Sequence, residues 1–428
     1  MVLTLAHKLS PSVADLKPSA TLLINERSKT LAAAGKKVYR LGFGQSPFPV
    51  PGEVVQALRD HASEKDYLPG RGLYALREAV AGFTQKTKGL ACSAEDVMIG
   101  PGSKELMFSL QMALDADLLL PSPSWVSYEP QAHILQKKTH WLETREEDGW
   151  RLQAATLDRA CAASPARSKL LILNYPNNPV GNSYDGAQLK ALAEVARRYG
   201  VIVLADEIYS MVHHEGGQCS HAAHYPEGTI VSSGLSKWCG AGGWRLGTFV
   251  FPKELRYVLD AMAGIASETF SAVSAPVQFA AITAFKGSPG TDRYVFRSRR
   301  VLKTVGRFVY QRLKKMGVTM PAPEGGFYLF PNFEKHRPGL AKKDIYGSAA
   351  FCEALLEETG IALLPGEVFG RPPGELSCRL SFVDFDGKAA LLASAQNVDL
   401  PEGEIFVKNN CPKIYEAMDV LAAWLDQD

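Results

Sequence analysis

Cysteine is scarce in this 428-residue chain, and its spacing carries no signal. The 7 cysteines are scattered and include no C-x-x-C pair, which is the spacing typical of many zinc and redox sites. The number is also odd, which favours reduced thiols in a reducing compartment over a disulfide framework. The sequence therefore predicts neither structural disulfides nor a cysteine-based metal site.

Long apolar runs are also absent. The longest are "LLIL" (170–173) and "VIVLA" (201–205), far short of the roughly 20 residues that span a bilayer. The first residues, "MVLTLAHKLSPSV", lack the apolar core of a secretory signal. We predict no membrane span and a cytoplasmic protein, although the lack of acidic residues before Asp15 leaves an organelle transit peptide open.

No single sign of charge dominates. The 47 basic and 45 acidic residues are well mixed and leave a net charge of +2. Without a basic stripe or tail, the sequence predicts no nucleic-acid partner. The hydrophobic fraction of 46% and the charged fraction of 21% are typical of an ordinary soluble globular protein.

Two common cofactor motifs are missing as well. The chain has no G-x-x-x-x-G-K-[ST] phosphate loop, and "CGAGGWRLG" (239–247) places Arg245 where a dinucleotide fingerprint needs its third glycine. The histidines at 213, 214, 221 and 224 form no H-x-x-x-H pair. We therefore predict no nucleotide loop of either kind and no metal site.

What the chain does contain, in its middle part, is an alternation of buried strands and amphipathic helices. Such an alternation implies right-handed crossovers and a mostly parallel sheet. Ligands bind beyond the carboxyl ends of such strands, where Asn178, Asp206 and Lys237 fall. Strands are predicted for "SKLLILNYP" (168–176), "VIVLADEIY" (201–209) and "GTIVSSGLSK" (228–237). A helix is predicted between the first two strands, for "GAQLKALAEVARRYG" (186–200).

A different pattern begins near residue 300. Here helices are predicted at 301–317 and around 348–359, and short strands at 325–331 and 376–385. We predict a large domain over residues 51–300 and a smaller α+β domain over 301–428, with the N-terminal segment 1–50 packed on the smaller one. Residues 397–411 look like an added polar loop that precedes the last helix.

The stretch "SGLSKWCGAGGWRLG" (233–247) surrounds Lys237 and Arg245 with glycines and other small residues. A lysine becomes nucleophilic when burial or a nearby cation lowers its pKa, and glycines let a bulky group approach the backbone. The alternative is an ordinary surface loop with a salt-bridged lysine. Asp206 ends a buried strand, where a carboxylate must be paired, with a cofactor or with a structural partner; Tyr209 and Asn178 lie near it.

"IGPGSKELMFSLQMAL" (99–114) places Gly102, Ser103 and Lys104 at a strand-to-helix junction. The amide groups of a helix N-terminus favour an anion, although a simple helix cap fits the same residues. Trp125, in a proline-rich loop, is either a plate for a ligand ring or a packing residue.

Taken together, these motifs resemble the fold-type I pyridoxal phosphate (PLP) enzymes, specifically the class I/II aminotransferases related to aspartate aminotransferase. Residues 234–247 fit the cofactor-lysine pattern of that family throughout, and the similarity extends from about residue 38 to 386. The resemblance implies an α/β fold, in which a large PLP-binding domain has a mostly parallel seven-stranded sheet flanked by helices.

The resemblance also implies a role for each candidate residue. Lys237 would form a Schiff base with PLP and move the substrate proton. Asp206 would pair with the pyridine nitrogen, Tyr209 and Asn178 would bind the phenolic oxygen, and Trp125 would stack on the ring. The phosphate would be held by Gly102, Ser103, Lys104, Ser236 and Arg245, and by Tyr67 of the neighbouring subunit in a homodimer. Asn178, Arg379 and Gly44 would bind the substrate, with Arg379 clamping its carboxylate.

The implied activity is transfer of an amino group from an L-amino acid to 2-oxoglutarate or pyruvate in a ping-pong cycle. A PLP-dependent lyase or synthase uses the same residues and remains an alternative, and a non-catalytic PLP-binding regulator is a remote one. Two departures leave the amino donor open. Gly234 replaces a hydroxyl residue of the phosphate site, so that either Ser233 or Ser236 would substitute or this phosphate contact is missing, and no second arginine for dicarboxylates is found. Phe48, Phe327 and Tyr328 are candidate pocket residues.

Overall fold

The structure is a computed structural model that describes residues 9–16, 18–164, 168–396 and 403–426. Its helices, in chain order, are α1 Ala20–Ala33, α2 Gly52–Asp60, α3 Tyr74–Lys88, α4 Ser103–Ala113, α5 Tyr128–Ile134, α6 Ala154–Ala163, α7 Gly186–Arg198, α8 Arg256–Glu268, α9 Ala275–Lys286, α10 Pro289–Lys315, α11 Arg337–Lys342, α12 Ser348–Thr359, α13 Gly387–Gln396, α14 Gly403–Asn410 and α15 Pro412–Leu425. Its strands are β1 Val97–Gly100, β2 Asp117–Ser122, β3 Thr139–Glu143, β4 Lys169–Asn174, β5 Ile202–Asp206, β6 Thr229–Gly234, β7 Gly247–Val250, β8 Tyr328–Leu329, β9 Leu364–Pro365 and β10 Cys378–Ser381.

Seven strands form one sheet in the order β1-β7-β6-β5-β4-β2-β3. Strands β3, β2, β4, β5 and β6 are parallel, whereas β7 runs antiparallel to both β6 and β1. The predicted α/β fold with a mostly parallel seven-stranded sheet is therefore confirmed. The register pairs Asn174 with Asp206 and Asp206 with Ser232, so these polar side chains meet at the carboxyl edge of the sheet.

The central strands are covered on both faces, which explains why their sequences are nearly continuous apolar runs. Alternate residues enter two separate cores, because side chains of a strand point to opposite faces. Leu170 and Ile172 pack with α4 and α8, while Leu171 and Leu173 pack with α6 and α7. The sheet edge that carries the polar residues is thus held rigidly from both sides.

The C-terminal part has a smaller antiparallel sheet in the order β8-β10-β9. Helix α12 occupies the predicted 348–359, and α10 begins well before the predicted helix and runs through the expected domain boundary near residue 300. The division into three segments therefore stays a prediction. The expected polar loop at 397–411 needs a correction, because 403–410 form helix α14, which packs its buried Phe406 and Val407 on the core beside α10. Residues 397–402 lie outside the described part of the chain.

Contacts also tie the N-terminal segment to the C-terminal part. Arg27 of α1 donates to Glu357 of α12 at 2.6 Å, and Tyr39 forms a parallel bridge with Ile361. Residues 1–8, which belong to the segment considered for targeting, lie outside the described residues. Within the described ranges, no helix combines the length and apolarity needed to cross a membrane.

Candidate active site

A cavity of about 570 Å³ opens at the carboxyl edge of strands β4, β5 and β6. Nearly all of the predicted site residues line it, although they come from distant parts of the chain. Gly102 lies just behind the wall, and Tyr67 lies elsewhere. The predicted residues that line the cavity are Gly44, Ser103, Lys104, Trp125, Asn178, Asp206, Tyr209, Ser236, Lys237, Arg245 and Arg379.

Lys237 follows strand β6 and extends into this cavity. Its ammonium group donates to the carbonyl oxygen of Gly44 at 3.0 Å, and it lies 5.4 Å from the centre of the Tyr209 ring. No carboxylate of the described residues lies within ion-pair distance of it. The alternative of a salt-bridged lysine on a surface loop therefore does not describe this residue, which has a single carbonyl partner and free space beside it.

Asp206 closes the bottom of the cavity and is 3% exposed. Its carboxylate accepts from the Tyr128 hydroxyl at 2.6 Å and from the Ser232 hydroxyl at 3.2 Å. Burial raises the pKa of Asp206 from its ordinary value of 3.8 to about 6, despite these hydrogen bonds. The carboxylate thus has neutral partners alone among the described residues, which suits a cationic ligand group.

Asn178 and Tyr209 lie beside Asp206 at the same edge. The backbone N–H of Asn178 donates to Asn174 Oδ1 at 2.7 Å, which holds the turn "NYPNNPVG" against the end of β4. The Asn178 side-chain oxygen accepts from Arg379 at 3.1 Å. The Tyr209 hydroxyl lies 3.1 Å from that of Tyr328.

Arg245 and the N-terminus of α4 form the opposite end of the cavity. Arg245 has a left-handed backbone, with φ of 54°, and its guanidinium donates to the carbonyl oxygens of Gly242 and Pro101 at 3.0 and 3.3 Å. A side chain at Gly102 would collide with that guanidinium, and one at Gly247 would collide with the backbone of Ser103. Both glycines are therefore required for a cation to lie against the helix N-terminus, and this combination binds anions.

Lys104 and Trp125 form a pair at the same end. The Lys104 ammonium lies 5.0 Å from the centre of the Trp125 ring, and Trp125 packs edge-on against Tyr128. Burial, followed by the positive charges of Arg245 and Lys237, lowers the pKa of Lys104. The charges of Lys104, Arg245 and Lys237 repel one another, and an anionic ligand would relieve this repulsion.

Gly234, where the family pattern often has a hydroxyl, has no room for a side chain. A Cβ there would lie 2.7 Å from the carbonyl oxygen of Leu246 and 3.0 Å from Cα of Gly247, because β6 and β7 pair at this point. Of the two serines considered as substitutes, Ser236 lines the cavity and Ser233 does not. The structure thus places Ser236, next to Lys237, as the available hydroxyl.

Arg379 projects from β10 and is 1% exposed. It donates to the carbonyl oxygen of Gly42 at 2.7 Å, in addition to its bond with Asn178. Its Nε has no partner among the described residues, and burial lowers the pKa of its guanidinium. An arginine that is buried, held at two nitrogens and not neutralised is a suitable binding group for a carboxylate.

The structure also reveals residues in the cavity, or in contact with its side chains, that sequence reasoning did not assign to the site. Tyr128 and Ser232 bind Asp206, while Phe43 and Gln45 lie beside Gly44. Tyr328, considered only as one of three pocket residues, lines the cavity, whereas Phe48 is buried in the core. The register β5–β6 would have indicated Ser232, but no local pattern identifies the others. Ser19, Thr21 and Leu22 also line the cavity, at and near the start of α1.

Tyr67 does not contribute to this cavity. Its side chain is 94% exposed, an unusual position for a large aromatic residue. The sequence predicts that Tyr67 contacts the cofactor phosphate of a neighbouring subunit. In this chain Tyr67 lies on the surface.

Comparisons with known proteins agree with this geometry. Residues 36–386 match the family described as aminotransferase class I and II. The chain is 34% identical to an aspartate aminotransferase of Geobacillus stearothermophilus over 88% of its own length and 94% of the relative's. It is 31% identical to an asparagine–oxo-acid transaminase of Streptococcus mutans, with the same coverage. The structure of the Thermus thermophilus aspartate aminotransferase with maleate superposes with a TM-score of 0.84 at 27% identity, covering 97% of this chain and 99% of that one.

Proposed function

Because the chain belongs to the class I and II aminotransferases, whose members bind PLP, we propose that it moves an amino group from an L-amino acid to a 2-oxo acid in two half-reactions. The proposed acceptor is 2-oxoglutarate or pyruvate. The observation that carries the proposal is the single cavity in which Lys237, Asp206 and Arg379 converge. Each of these three groups lacks an ion-pair partner among the described residues.

The residues of the cavity fit PLP in their chemistry. Asp206 is a buried carboxylate without a cation, which suits the protonated ring nitrogen. Arg245 and the N-terminus of α4, with Ser236 and Lys104 nearby, suit the phosphate. Trp125 offers a ring face, and Tyr209 and Asn178 offer polar groups for the phenolic oxygen. When bound, PLP supplies a conjugated ring that accepts the electron pair released at the substrate's Cα.

Lys237 is proposed to carry the cofactor and to move a proton to and from the substrate's Cα through its Nζ. An amine serves as a base or a nucleophile only when it is neutral, so both proposed roles use the neutral form of the Lys237 amine. The free space around Nζ, whose present partner is the Gly44 carbonyl oxygen, allows such a movement.

Arg379 is proposed to bind the substrate's carboxylate. Its contacts with Gly42 and Asn178 leave the guanidinium fixed between these groups and the rings of Tyr328 and Phe369, at 4.7 and 5.2 Å. A rigid cation loses little entropy when it binds, so the guanidinium would hold the carboxylate in a defined orientation within the cavity that also contains Lys237.

The amino donor is proposed from the relatives. Several are named for aspartate, one for asparagine and some for aspartate and prephenate, so L-aspartate and L-asparagine are the first donors to test. Arg245 and Arg379 line the cavity, and both already have proposed roles with the cofactor phosphate and the substrate carboxylate. That the chain has no second arginine for dicarboxylates stays a prediction from the sequence, and aromatic donors therefore belong in the same screen.

We also propose a homodimer in which Tyr67 reaches the cofactor phosphate of the other subunit. Support comes from the family resemblance and from the exposure of Tyr67. Sedimentation of the PLP-loaded protein would measure the assembly, and a monomer with full activity would contradict the proposal. Tyr67→Phe in a dimer should weaken PLP binding if the hydroxyl contacts the phosphate.

A half-reaction test separates the proposed activity from its alternatives. The PLP-loaded protein is mixed with each amino acid in the absence of an oxo acid, and the visible band of the cofactor is followed. Conversion to pyridoxamine phosphate with one equivalent of oxo acid supports transamination. Continuous release of ammonia and oxo acid indicates the lyase alternative, and an unchanged band with every amino acid indicates the non-catalytic regulator.

A further inference from the structure

Tyr328 lies between Tyr209, Gly44 and Arg379. Its hydroxyl lies 3.1 Å from the Tyr209 hydroxyl and 3.4 Å from the carbonyl oxygen of Gly44. Its ring lies 4.7 Å from the guanidinium carbon of Arg379. The side chain is 1% exposed, so that it can make these contacts and few others.

The position of Tyr328 also accounts for Gly44. A side chain at residue 44 would collide with the Tyr328 hydroxyl. The glycine therefore makes room for this hydroxyl as well as presenting its carbonyl oxygen to Lys237. The geometry links the lysine, the glycine and the two tyrosines in one continuous chain of contacts.

The two tyrosine hydroxyls have too few protons to donate in all of these hydrogen bonds once PLP is bound. Each tyrosine has one hydroxyl proton to donate. In the structure, Tyr328 donates to the Gly44 carbonyl oxygen, so Tyr209 must donate to Tyr328. If Tyr209 instead donates its proton to the phenolic oxygen of PLP, it has none left for Tyr328. The hydrogen bond between the two tyrosines is then kept only when Tyr328 donates its own proton to Tyr209. The bond that Tyr328 gives up, to Gly44, is the longer of its two.

We infer that Tyr328 is a positioning residue, whose hydroxyl donates to Tyr209 and thereby strengthens the hydrogen bond from Tyr209 to the cofactor's phenolic oxygen. The inference rests on the proposed function, because it requires bound PLP. Consecutive hydrogen bonds polarise one another, by roughly 10–30% per bond. The Tyr328 hydroxyl thus acts on the cofactor through Tyr209, while its ring acts on Arg379.

Other groups around Tyr209 also influence the cofactor. Burial is the main cause that raises the pKa of Tyr209, followed by Tyr328, while the charge of Arg379 lowers it. The hydroxyl of Tyr328 can be removed without altering any of the charges. The titratable and charged groups that face Tyr209 are Asp206, Lys237, Arg379, Tyr128 and Tyr328.

The test is the pH titration of the visible absorption band in the PLP-loaded Tyr328→Phe variant. A donor to the phenolic oxygen stabilises the form in which that oxygen is negative and no proton is shared with Lys237. Weakening this donor should raise the midpoint of the titration, by about 0.2–0.4 pH unit if about a fifth of the strength of one charged hydrogen bond is lost. The KM for the amino acid should stay within about twofold, because the ring against Arg379 is retained.

Tyr294→Phe is the matched control, because it removes a buried tyrosine hydroxyl that lies outside the cavity. Its midpoint should equal that of the unsubstituted protein. A second arm places Tyr328→Phe in a Tyr209→Phe background, where the shift should disappear because the residue that transmits it is gone.

An unchanged midpoint in Tyr328→Phe would overturn the inference, and so would an equal shift with and without Tyr209. In both cases the visible band of the unsubstituted protein remains, and the proposed function stands. If PLP gives no titrating band with the unsubstituted protein, the proposed function fails and this inference fails with it.

Discussion

Two cavities formed by the described residues are similar in size, but their charged side chains are arranged differently. One, of about 570 Å³, contains Lys237 and its neighbours. The other, of about 600 Å³, lies between the start of α7, residues 213–215, helix α10 and residues 322–324. In the second cavity, Arg151 pairs with Glu324 at 2.7 Å and Lys303 pairs with Glu215 at 2.6 Å.

In the first cavity the cations remain without carboxylate partners. Among the described residues, none of Lys104, Lys237, Arg245 and Arg379 forms an ion pair, and the buried Asp206 has hydroxyl partners instead. Charges held near each other without neutralisation cost free energy. A fold retains such an arrangement where a ligand supplies the opposite charges, so unneutralised charge, more than volume, distinguishes the candidate site from the second cavity.

The largest effect is expected from Lys237→Ala. Without the amine, the protein should lose the visible band of covalently held PLP, and its transaminase activity should fall by about 10⁴-fold or more, as for other nucleophiles whose removal disables a catalytic unit. Absorbance spectra and steady-state rates measure the two effects. A retained visible band in this variant would show that another residue holds the cofactor.

A smaller effect is expected from Arg379→Lys, which keeps the charge but loses the planar two-nitrogen donor. We expect the KM for the amino acid to rise by about 100-fold, because one or two charged hydrogen bonds are lost at roughly 1.5–3 kcal/mol each. Initial rates over a range of donor concentrations measure this. PLP binding should be unaffected, and an unchanged KM would place the carboxylate elsewhere.

Asp206→Asn tests the cost of the unpaired carboxylate. The folded pKa of about 6 lies above the ordinary 3.8, so protonation favours the cofactor-free fold, and this contribution is lost as the pH rises through 6. Between pH 4.5 and 7.5 the free energy of unfolding of the cofactor-free protein should fall by about 2 kcal/mol more than that of Asp206→Asn. Urea unfolding at both pH values measures the difference.

One outcome for Asp206→Asn would contradict this expectation. If the free energy of unfolding has the same pH dependence in the variant and in the unsubstituted protein, burial of the Asp206 carboxylate does not destabilise the cofactor-free state. Asp206 would then no longer distinguish the first cavity from the second.

The smallest effect is expected in the second cavity. Lys303→Gln breaks the pair with Glu215, whose side chain is 69% exposed. Exposed pairs contribute about 0–1 kcal/mol, so stability should change by less than that and kcat/KM by less than about twofold. A larger loss of activity would mean that the second cavity takes part in function. Unneutralised charge would then no longer distinguish the functional cavity from the other one.

Much of the site could be predicted because its residues follow recognisable strands. Asp206 and Lys237 come directly after apolar runs, and parallel strands bring their carboxyl ends to one edge. The motif around Lys237 also contains Arg245, and the structure places both side chains in the same cavity. Helix α14 was missed, since it has only eight residues and polar residues flank its short apolar run. The packing of Phe406 and Val407 on the core depends on tertiary contacts.

The sequence by itself determined the fold class and the identity of the charged groups, because apolar periodicity and the order of motifs are local properties of the chain. Tertiary structure alone decided how these groups are arranged. Tyr328 lies 119 residues from Tyr209 and 284 from Gly44, and a hydrogen bond over such a separation leaves no trace in local pattern. The same holds for Gly234, whose lack of a side chain is explained by the approach of β7.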